Sequence, residues 1–532
     1  MTMKRNKFLV ITLLLAISLS TITSCTKDSF DDVYRDPSKV TETSVEKQFT
    51  GVLYTYREFV LLTYRNYFVT LSPTIHRYIQ TIGWVNEPNH LTPGMAAITD
   101  RWDIYYKGLA QFKEFENIYL SLPEEEQKEK KIFYLAAKVF FYDQTQQQVD
   151  LFGDIPWSDA GKLSKNGGDY SISYPKYDKA KDIYTAMLDD LKEISEELQD
   201  IDVPSVVASS FSTQDLINSG SVELWQQYTN SLRLRMLTRV SNAPDFASRA
   251  TDELNQIIAN PDQFPIVLSN DNNIQIDVFD ISSDISVNDF DDALESWNNN
   301  ISGGIMIDHM NDNVDPRLPF IFEPGEGADD DEYIGLDQSL ASAEQNSLIS
   351  GTTANPSKIA IYNRSTYSRN EKFPGILISS AETHFLLAEY YDKGSNSSEA
   401  QNHFEEGIKE SIEMYRKIRS ISNNNTTPAA ADPTSAEIDD YIQNIGWGTD
   451  NIKLIATQKW LHFNIVQSIE NWAEVRRLDY PEFEFQVRNS DNQKTVPVKF
   501  NLPQSERANN LENYNTVKDQ DNVNTKLFWD VN

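Results

Sequence analysis

Apolar residues recur at three- and four-residue spacing through long parts of the chain, which is the period of an amphipathic α-helix. One such stripe is rich in aromatic side chains and comprises Trp102, Tyr105, Tyr106, Leu109, Phe112, Phe115 and Tyr119. The same spacing predicts helices from about 128 to 152, along the stripe from Ile183 to Leu198, and from 222 to 240. Helices patterned in this way must bury their apolar faces against one another, so we expect a mainly α-helical fold.

Further helices are predicted at both ends of the chain. Thr43–Glu46 has the pattern of a capping box, which predicts a helix running from there toward Thr70. Helical spacing returns over Ser380–Lys393, Glu399–Arg416 and Lys453–Ile469. Helices of this length pair into the hairpins of tetratricopeptide-like repeats, but the chain has no regular repeat of roughly 34 residues. Periodicity alone therefore predicts helical hairpins.

The middle of the chain, about 241–374, has a different composition. It is rich in Asn, Asp, Ser and Gly, and it carries short alternating stretches such as Ile274–Phe279. Alternation of this kind is typical of short strands, and the polar residues are typical of turns. We therefore expect a long loop-rich insertion with a minor β component on the helical frame.

The N-terminus has the pattern of a secretory leader. Three basic residues, Lys4, Arg5 and Lys7, precede the apolar run Phe8–Leu19, and small residues lead to Cys25. The run is too short for a transmembrane helix, which needs roughly 20 residues. We interpret 1–24 as a signal peptide. Ile22–Cys25 resembles a bacterial lipobox, so we expect Cys25 to carry lipid; the alternative is an ordinary leader followed by an incidental thiol.

The residues behind Cys25 are polar and acidic, which predicts a flexible tether over 25–42 and a folded domain over 43–532. Removal of 1–24 leaves 44 basic and 80 acidic residues, a net charge of -36. Such a surface excludes nucleic acid as a partner, because phosphate binding needs Lys and Arg. With 39% hydrophobic residues the chain can bury a large core, and its single cysteine allows no disulfide within the chain.

A series of short phrases follows in order along the chain. They are Gln148–Ala160, Tyr177–Asp178, Trp225 with Asn230–Arg235 and Arg239, Asp315–Pro319, Glu382–Glu389, Phe404–Ile408, Gln458–Trp460, Glu470–Trp472 and Arg476–Pro481. Together they resemble the SusD/RagB family of nutrient-binding outer-membrane lipoproteins of the Bacteroidetes, in its SusD-like second branch. The resemblance implies a tetratricopeptide-like superhelical scaffold.

The resemblance also implies capture of a ligand and no catalysis. Members of the family sit lipid-anchored at the cell surface on the outer membrane, bind an oligosaccharide or oligopeptide, and deliver it as a lid to a SusC-like TonB-dependent transporter. The alternative is a surface hydrolase of glycans or peptides. A glycosidase would need two carboxylates about 5 to 9.5 Å apart, and among 80 acidic residues no sequence pair indicates one.

Five arginines lie on apolar helix faces of this acidic chain: Arg233, Arg235, Arg239, Arg476 and Arg477. Because a buried guanidinium needs a partner, we expect them to pair with carboxylates such as Glu382, Glu389 or Glu470. These residues are therefore predicted to belong to the scaffold, and the family phrases do not mark a binding site.

Aromatic residues outside the helical stripes are the candidates for ligand binding, since sugars stack on aromatic faces. Tyr78 and Trp84 precede a loop that contains prolines, Trp297 precedes three asparagines, and Trp447 lies between two glycines. The alternative for each is a core residue that anchors a loop. Trp157, Trp225, Trp460 and Trp472 lie within the family phrases, and we expect them in the core.

The sequence predicts no metal site and no cofactor. It has no HExxH motif, and its six histidines are scattered. The acidic stretch 329–332 could hold calcium, but it lacks the alternation and the glycine of an EF-hand, which favours a solvated loop.

Overall fold

The computed structural model describes residues 43–329 and 332–532. The predicted leader, Cys25 and the tether lie outside the described residues, as do Asp330 and Asp331 of the acidic stretch. Val45–Asn532 form one compact unit.

The first half of this unit is a series of helices with two short strands. They are α1 (Val45–Val60), a π-helical segment (Arg65–Leu71), α2 (Ile75–Tyr78), α3 (Met95–Ser121), α4 (Glu124–Glu129), α5 (Lys131–Phe152), β1 (Ile155–Pro156), β2 (Tyr177–Asp178), α6 (Ala180–Gln199), α7 (Ser205–Gln214), α8 (Val222–Val240) and α9 (Ala247–Ala259).

The second half mixes short strands with helices. It comprises β3 (Ile274–Ile276), α10 (Phe290–Glu295), α11 (Gly304–Asn313), α12 (Leu318–Ile321), β4 (Phe322–Glu323), α13 (Ser342–Ile349), β5 (Ile361–Tyr362), β6 (Gly375–Ile378), α14 (Ser380–Lys393), α15 (Ser397–Ser420), α16 (Ser435–Ile445), α17 (Asn451–Phe463), α18 (Ser468–Leu478), α19 (Gln504–Asn509) and α20 (Leu511–Tyr514). The antiparallel pairs are β1 with β2, β3 with β6 and β4 with β5. The mainly α-helical fold predicted from the sequence is thus confirmed.

The aromatic stripe predicted for 102–119 does form one buried face of α3. Phe112 stacks on Phe141 of α5, with ring centroids 4.1 Å apart and an angle of 8° between the planes. Tyr119 stacks on Tyr134 in the same way at 4.4 Å. Such stacked pairs add to the free energy gained from burying apolar area, so α3 and α5 are held in a fixed register.

Two predicted helices are shorter than the spacing indicated. The first helix was predicted to run from 43 toward Thr70, but α1 ends at Val60, so the prediction is wrong beyond this residue. The amide of Asn66 donates to the carbonyls of Phe59 (3.2 Å) and Leu61 (3.0 Å), which satisfies the end of α1 without further helical turns. Likewise the predicted helix to Ile469 ends at Phe463, because Asn464 has a positive φ of 23°.

The middle of the chain contains more helix than the sequence indicated. Ala247–Ala259 forms α9 and buries Ala250, Leu254 and Ile257. Gly304–Asn313 forms α11, although its composition resembles that of the surrounding loops. The predicted strand at 274–279 is confirmed over Ile274–Ile276 only.

Buried ion pairs join the helices at the centre of the fold. Four cations, Arg235, Arg239, Lys459 and Arg477, lie among six carboxylates, Asp143, Asp150, Glu382, Glu389, Glu470 and Glu474. This central ion network confirms the expected pairs of Arg235 with Glu382 (2.5 Å), Arg239 with Glu470 (2.6 Å) and Arg477 with Glu389 (2.6 Å).

Negative charge is in excess in the central ion network, and this affects its protonation. Burial raises the pKa of Asp143 to about 6, although the Arg235 charge and a hydrogen bond from Tyr228 oppose the shift. Burial and the nearby Glu470 charge also raise the pKa of Asp150. Burial therefore acts against the charged form of both aspartates, while their cationic partners favour it.

Arg476 departs from the expectation for the five arginines. Arg233 pairs with Glu253 at 3.0 Å, but among the described residues no carboxylate bonds to Arg476. Its guanidinium donates to the carbonyls of Asp150 (2.9 Å) and Val498 (2.6 Å), which connects α18 both to α5 and to the chain that follows α18. Its predicted ion pair was wrong, because carbonyl oxygens occupy the places that carboxylates were expected to take.

Within the described part of the chain, no helix is both long enough and apolar enough to cross a bilayer.

Candidate functional site

Trp297 is the most exposed aromatic side chain of the middle region. It follows α10 in a short turn over Ser296–Asn298 and is 85% exposed. Its φ and ψ of 57° and 27° place it in the left-handed region, as does the φ of 60° of Asn298. A non-glycine residue in this region costs about 1–2 kcal/mol. The exposed indole buries little apolar surface to offset this cost, so a role outside folding is favoured.

The turn that carries Trp297 is held in place by Asn299, which is buried. The Asn299 side chain accepts from Ser72 Oγ (2.6 Å) and donates to the carbonyl of Ser296 (3.0 Å). Its own carbonyl accepts from Tyr67 Oη at 3.1 Å. Tyr67 lies in the π-helical segment and Ser72 directly after it, so this segment fixes the position of the exposed indole.

The ion pair of Glu295 and Arg369 lies on the N-terminal side of the turn. Glu295 accepts two hydrogen bonds from Arg369 (2.9 and 2.7 Å) and one from Ser368 (2.6 Å). Partial burial would raise the pKa of Glu295, but the bonds from Arg369 and Ser368 hold it below its ordinary value. Arg369 also donates to Thr426 Oγ1 at 3.2 Å. A charged pair with satisfied hydrogen bonds thus directly precedes the turn that carries the indole.

The segment of Trp84 lies beside that of Trp297. Gly83 N donates to the carbonyl of Ile301 at 2.8 Å, and Ile82 forms an isolated antiparallel bridge with Ser302. A Cβ at position 83 would lie 2.5 Å from the Ser302 carbonyl oxygen, so only glycine permits this approach. The structure therefore brings together two of the three segments that carry the four candidate residues.

The ring of Trp84 itself is buried, with 6% of its surface exposed. It contacts His90 at a centroid distance of 4.6 Å, and the Arg77 guanidinium carbon lies 5.1 Å from its ring. Tyr78 is 1% exposed and lies against Trp472, with ring centroids 5.6 Å apart. In this conformation neither ring offers a free face, and their part in binding stays a prediction.

Trp447 lies on different elements. It is half-buried between Gly446 and Gly448, which both have positive φ, and its ring packs 4.8 Å from Phe404 of α15. The neighbouring hydrophobic cluster comprises residues of α14, α15, α16 and α17. Its role in binding also stays a prediction. Trp225, Trp460 and Trp472 lie in the core as expected, and Trp157 packs partly buried against it.

A second aromatic feature near Trp297, the pair Tyr64 and Phe68, was not predicted from the sequence. Tyr64 stacks on Phe68 at 4.8 Å and 21°, and Tyr64 is 37% exposed. Phe68 lies in the π-helical segment, and π-helical turns are frequent at functional sites. Helical periodicity could not reveal it, because the stretch reads as a continuation of α1. The pairing of Arg65 with Asp100, at 2.9 Å for both hydrogen bonds, fixes the start of the segment on α3.

The described residues contain no group of three or more side chains placed to hold a metal ion. Two residues of the acidic stretch 329–332, Asp330 and Asp331, lie outside the described residues. Glu332 of the same stretch pairs with Lys358 at 3.2 Å.

The SusD-like family model described as "Starch-binding associating with outer membrane" matches residues 40–503. No curated protein matches the sequence significantly.

Solved structures share the fold over nearly the whole chain. A chitin-binding protein has 21% identity and a TM-score of 0.73, covering 91% of this chain and 100% of its own. A chitin-binding SusD homolog from Flavobacterium johnsoniae has 22% identity and a TM-score of 0.66, with 91% and 99% covered. A SusD homolog from Bacteroides fragilis has 18% identity and a TM-score of 0.70, with 92% and 100% covered.

These structural likenesses establish the fold, and the family model extends over most of the sequence. Both agree with the ordered phrases along the chain, so the predicted resemblance is confirmed. The chain belongs to the SusD-like family of starch-binding proteins that associate with the outer membrane.

Proposed function

We propose that this protein is a surface lipoprotein that captures an oligosaccharide at Trp297 and delivers it to a SusC-like TonB-dependent transporter. The observation that carries the proposal is the exposed indole of Trp297, held in the left-handed region by a buried framework. The names of two similar structures, which are described as chitin-binding, support a glycan as the ligand class.

The surroundings of Trp297 favour a sugar over a peptide. A pyranose ring has an apolar face that stacks on an indole, while its hydroxyls bond to amides and charged groups at the rim. Asn298 is exposed next to the indole, and the Glu295–Arg369 pair follows on the other side. An oligopeptide would need partners for its backbone and a deeper groove. The proposed mechanism is binding followed by closure over the transporter, without bond cleavage.

The proposed anchor is Cys25, with 25–42 as a tether. Two or three acyl chains would hold the protein at the membrane stably, whereas one chain binds only marginally. A Cys25→Ala variant released from the membrane should still bind its glycan but should fail to support uptake. Uptake that survives this change would contradict a role for the anchor in delivery. Pull-down of the wild type from outer membranes should bring a large transporter, and its absence would contradict the lid model.

The ligand class is tested by a glycan and peptide array screened with the mature protein. We expect binding to at least one class of oligosaccharide, with the bound material recovered intact. Products shorter than the ligand would contradict pure capture and support the hydrolase alternative. Binding to peptides alone would contradict the choice of ligand class.

A further inference from the structure

A pocket of about 220 Å³ opens beside α18. It is lined by Tyr78, Trp472, Arg476, Asp479, Phe483 and Phe485, among other residues. Trp472 is buried and Phe483 and Phe485 are half-buried, so the walls are flat and apolar. The volume suits a ligand of about one ring, below the usual range of about 300–1,000 Å³ for drug-sized molecules.

Arg476 lines this pocket and carries one donor group that has no partner among the described residues. Its Nε and Nη1 donate to carbonyl oxygens of Trp472, Asp150 and Val498. Nη2 is buried and has no hydrogen-bond partner among the residues described. Five other buried arginines bond a carboxylate, whereas buried Arg101 bonds Gln147; the five are Arg233, Arg235, Arg239, Arg317 and Arg477.

Burial lowers the pKa of Arg476 to about 10, while the Asp150 charge acts against this shift. The guanidinium is therefore still charged at neutral pH, and it lies over the rings of Trp472 and Trp529. A buried cation in such surroundings is stabilised by an anion that can reach it.

A second donor without a partner lines the same pocket. Tyr78 Oη is buried, and no described residue bonds to it. The Tyr78 ring centroid lies 5.6 Å from that of Trp472, and the guanidinium carbon of Arg476 lies 3.9 Å from the Trp472 ring. Both unsatisfied donors thus belong to side chains that pack on one indole.

We propose that this pocket binds a small carboxylate with a flat apolar body, such as an aromatic acid, free or attached to a larger molecule. The carboxylate accepts hydrogen bonds from Arg476 and Tyr78, and the flat body packs against Trp472, Phe483 and Phe485. Asp479 at the rim is exposed, so solvent screens its repulsion of an anion. This site does not depend on the proposed glycan function.

Benzoate is the probe, and titration calorimetry of the mature protein is the measurement, with benzamide as its neutral counterpart. We expect saturable binding of benzoate with one site per chain, and at least tenfold weaker binding of benzamide. Tyr78→Phe should weaken benzoate binding at least threefold. The melting temperature of this variant without ligand should stay equal or rise, because the variant loses only an unsatisfied buried hydroxyl.

Asp479→Asn is the matched control, because it should strengthen benzoate binding where Tyr78→Phe should weaken it. Asn tolerates the φ of 50° at this position, so the fold is retained. Loss of the rim charge should tighten benzoate binding about two- to fivefold at low salt, and the gain should shrink in high salt. Equal binding of benzoate and benzamide, no binding of benzoate at tens of millimolar, or unchanged affinity in Tyr78→Phe would each overturn the proposal.

Discussion

At the scale of single residues, the left-handed backbone of Trp297 destabilises the fold, whereas its exposed indole is available for binding. The sequence identified this residue because a tryptophan stood before three asparagines. It could not reveal the left-handed conformation, which depends on bonds from Ser72 and Tyr67, more than 200 positions away in sequence. A binding platform requires an exposed ring in a fixed position. The indole of Trp297 meets this requirement, because the buried bonds from Tyr67 and Ser72 hold its strained turn in place.

Trp297→Gly and Trp297→Ala both remove the indole but differ in backbone strain. Because glycine adopts a φ of 57° without a steric penalty, we expect the glycine variant to be more stable than the alanine variant by about 1 kcal/mol. Urea unfolding of the two variants measures this difference. An alanine variant as stable as the glycine variant would show that this backbone is not strained.

At the scale of elements, α14 and α15 pack directly against each other in the C-terminal half. Both were predicted from apolar spacing, since long helices with clear periodicity dominate their local sequence. α16 was not predicted, although Thr434 and Glu437 form a capping box there. Its only buried residue is Tyr441, and so few apolar positions leave no clear helical period to detect.

Gly407 of α15 is the contact point of this pair. A Cβ at this position would lie 2.6 Å from Phe385 Cε1 of α14. Gly407→Ala should therefore lower the free energy of unfolding by about 1–3 kcal/mol, despite the better helix propensity of alanine.

Gly51 of α1 is the matched control, because a Cβ there would meet only Gln48 Oε1 at 4.0 Å. Gly51→Ala should raise the free energy of unfolding by up to about 1 kcal/mol. Thermal or urea unfolding of both variants compares them, and a change of the same sign in both would contradict the close approach at Gly407.

At the scale of the whole molecule, the central ion network connects helices that are far apart in sequence. The expectation that core arginines pair with carboxylates held for four of five, because a buried guanidinium in an acidic chain readily finds a carboxylate. Arg476 was the exception, and no sequence pattern distinguishes it from Arg477 beside it. The difference arises from tertiary contacts, because the carbonyls of Asp150 and Val498 bond to Arg476 in place of a carboxylate.

Glu389 of the central ion network pairs with three cations, Arg477, Lys459 and Lys393. Glu389→Gln keeps the shape of the side chain but replaces the carboxylate that faces these cations with a neutral amide. We expect a loss of about 3–5 kcal/mol in the free energy of unfolding at neutral pH. Exposed Glu125, paired with Lys128, is the control, and Glu125→Gln should change stability by less than about 0.5 kcal/mol.

The effect of Glu389→Gln should also depend on pH. Despite burial, the charges of Arg477 and Lys459 hold the pKa of Glu389 well below its ordinary value. Its stabilising contribution is therefore complete above the ordinary pKa of about 4.3 and is lost as the pH falls toward the lower folded pKa. The difference between wild type and variant should narrow under acid conditions, and a difference that does not depend on pH would contradict this role of the charge.

The central claim is that the exposed indole of Trp297 binds a glycan, and calorimetric titration with the best glycan from the array tests it most directly. Trp297→Ala should weaken binding by about 1–3 kcal/mol, or roughly five- to 150-fold. Tyr170→Ala, which removes an aromatic ring that is 65% exposed on another loop, should leave the affinity unchanged. Affinity that is equal in wild type and Trp297→Ala would contradict the account.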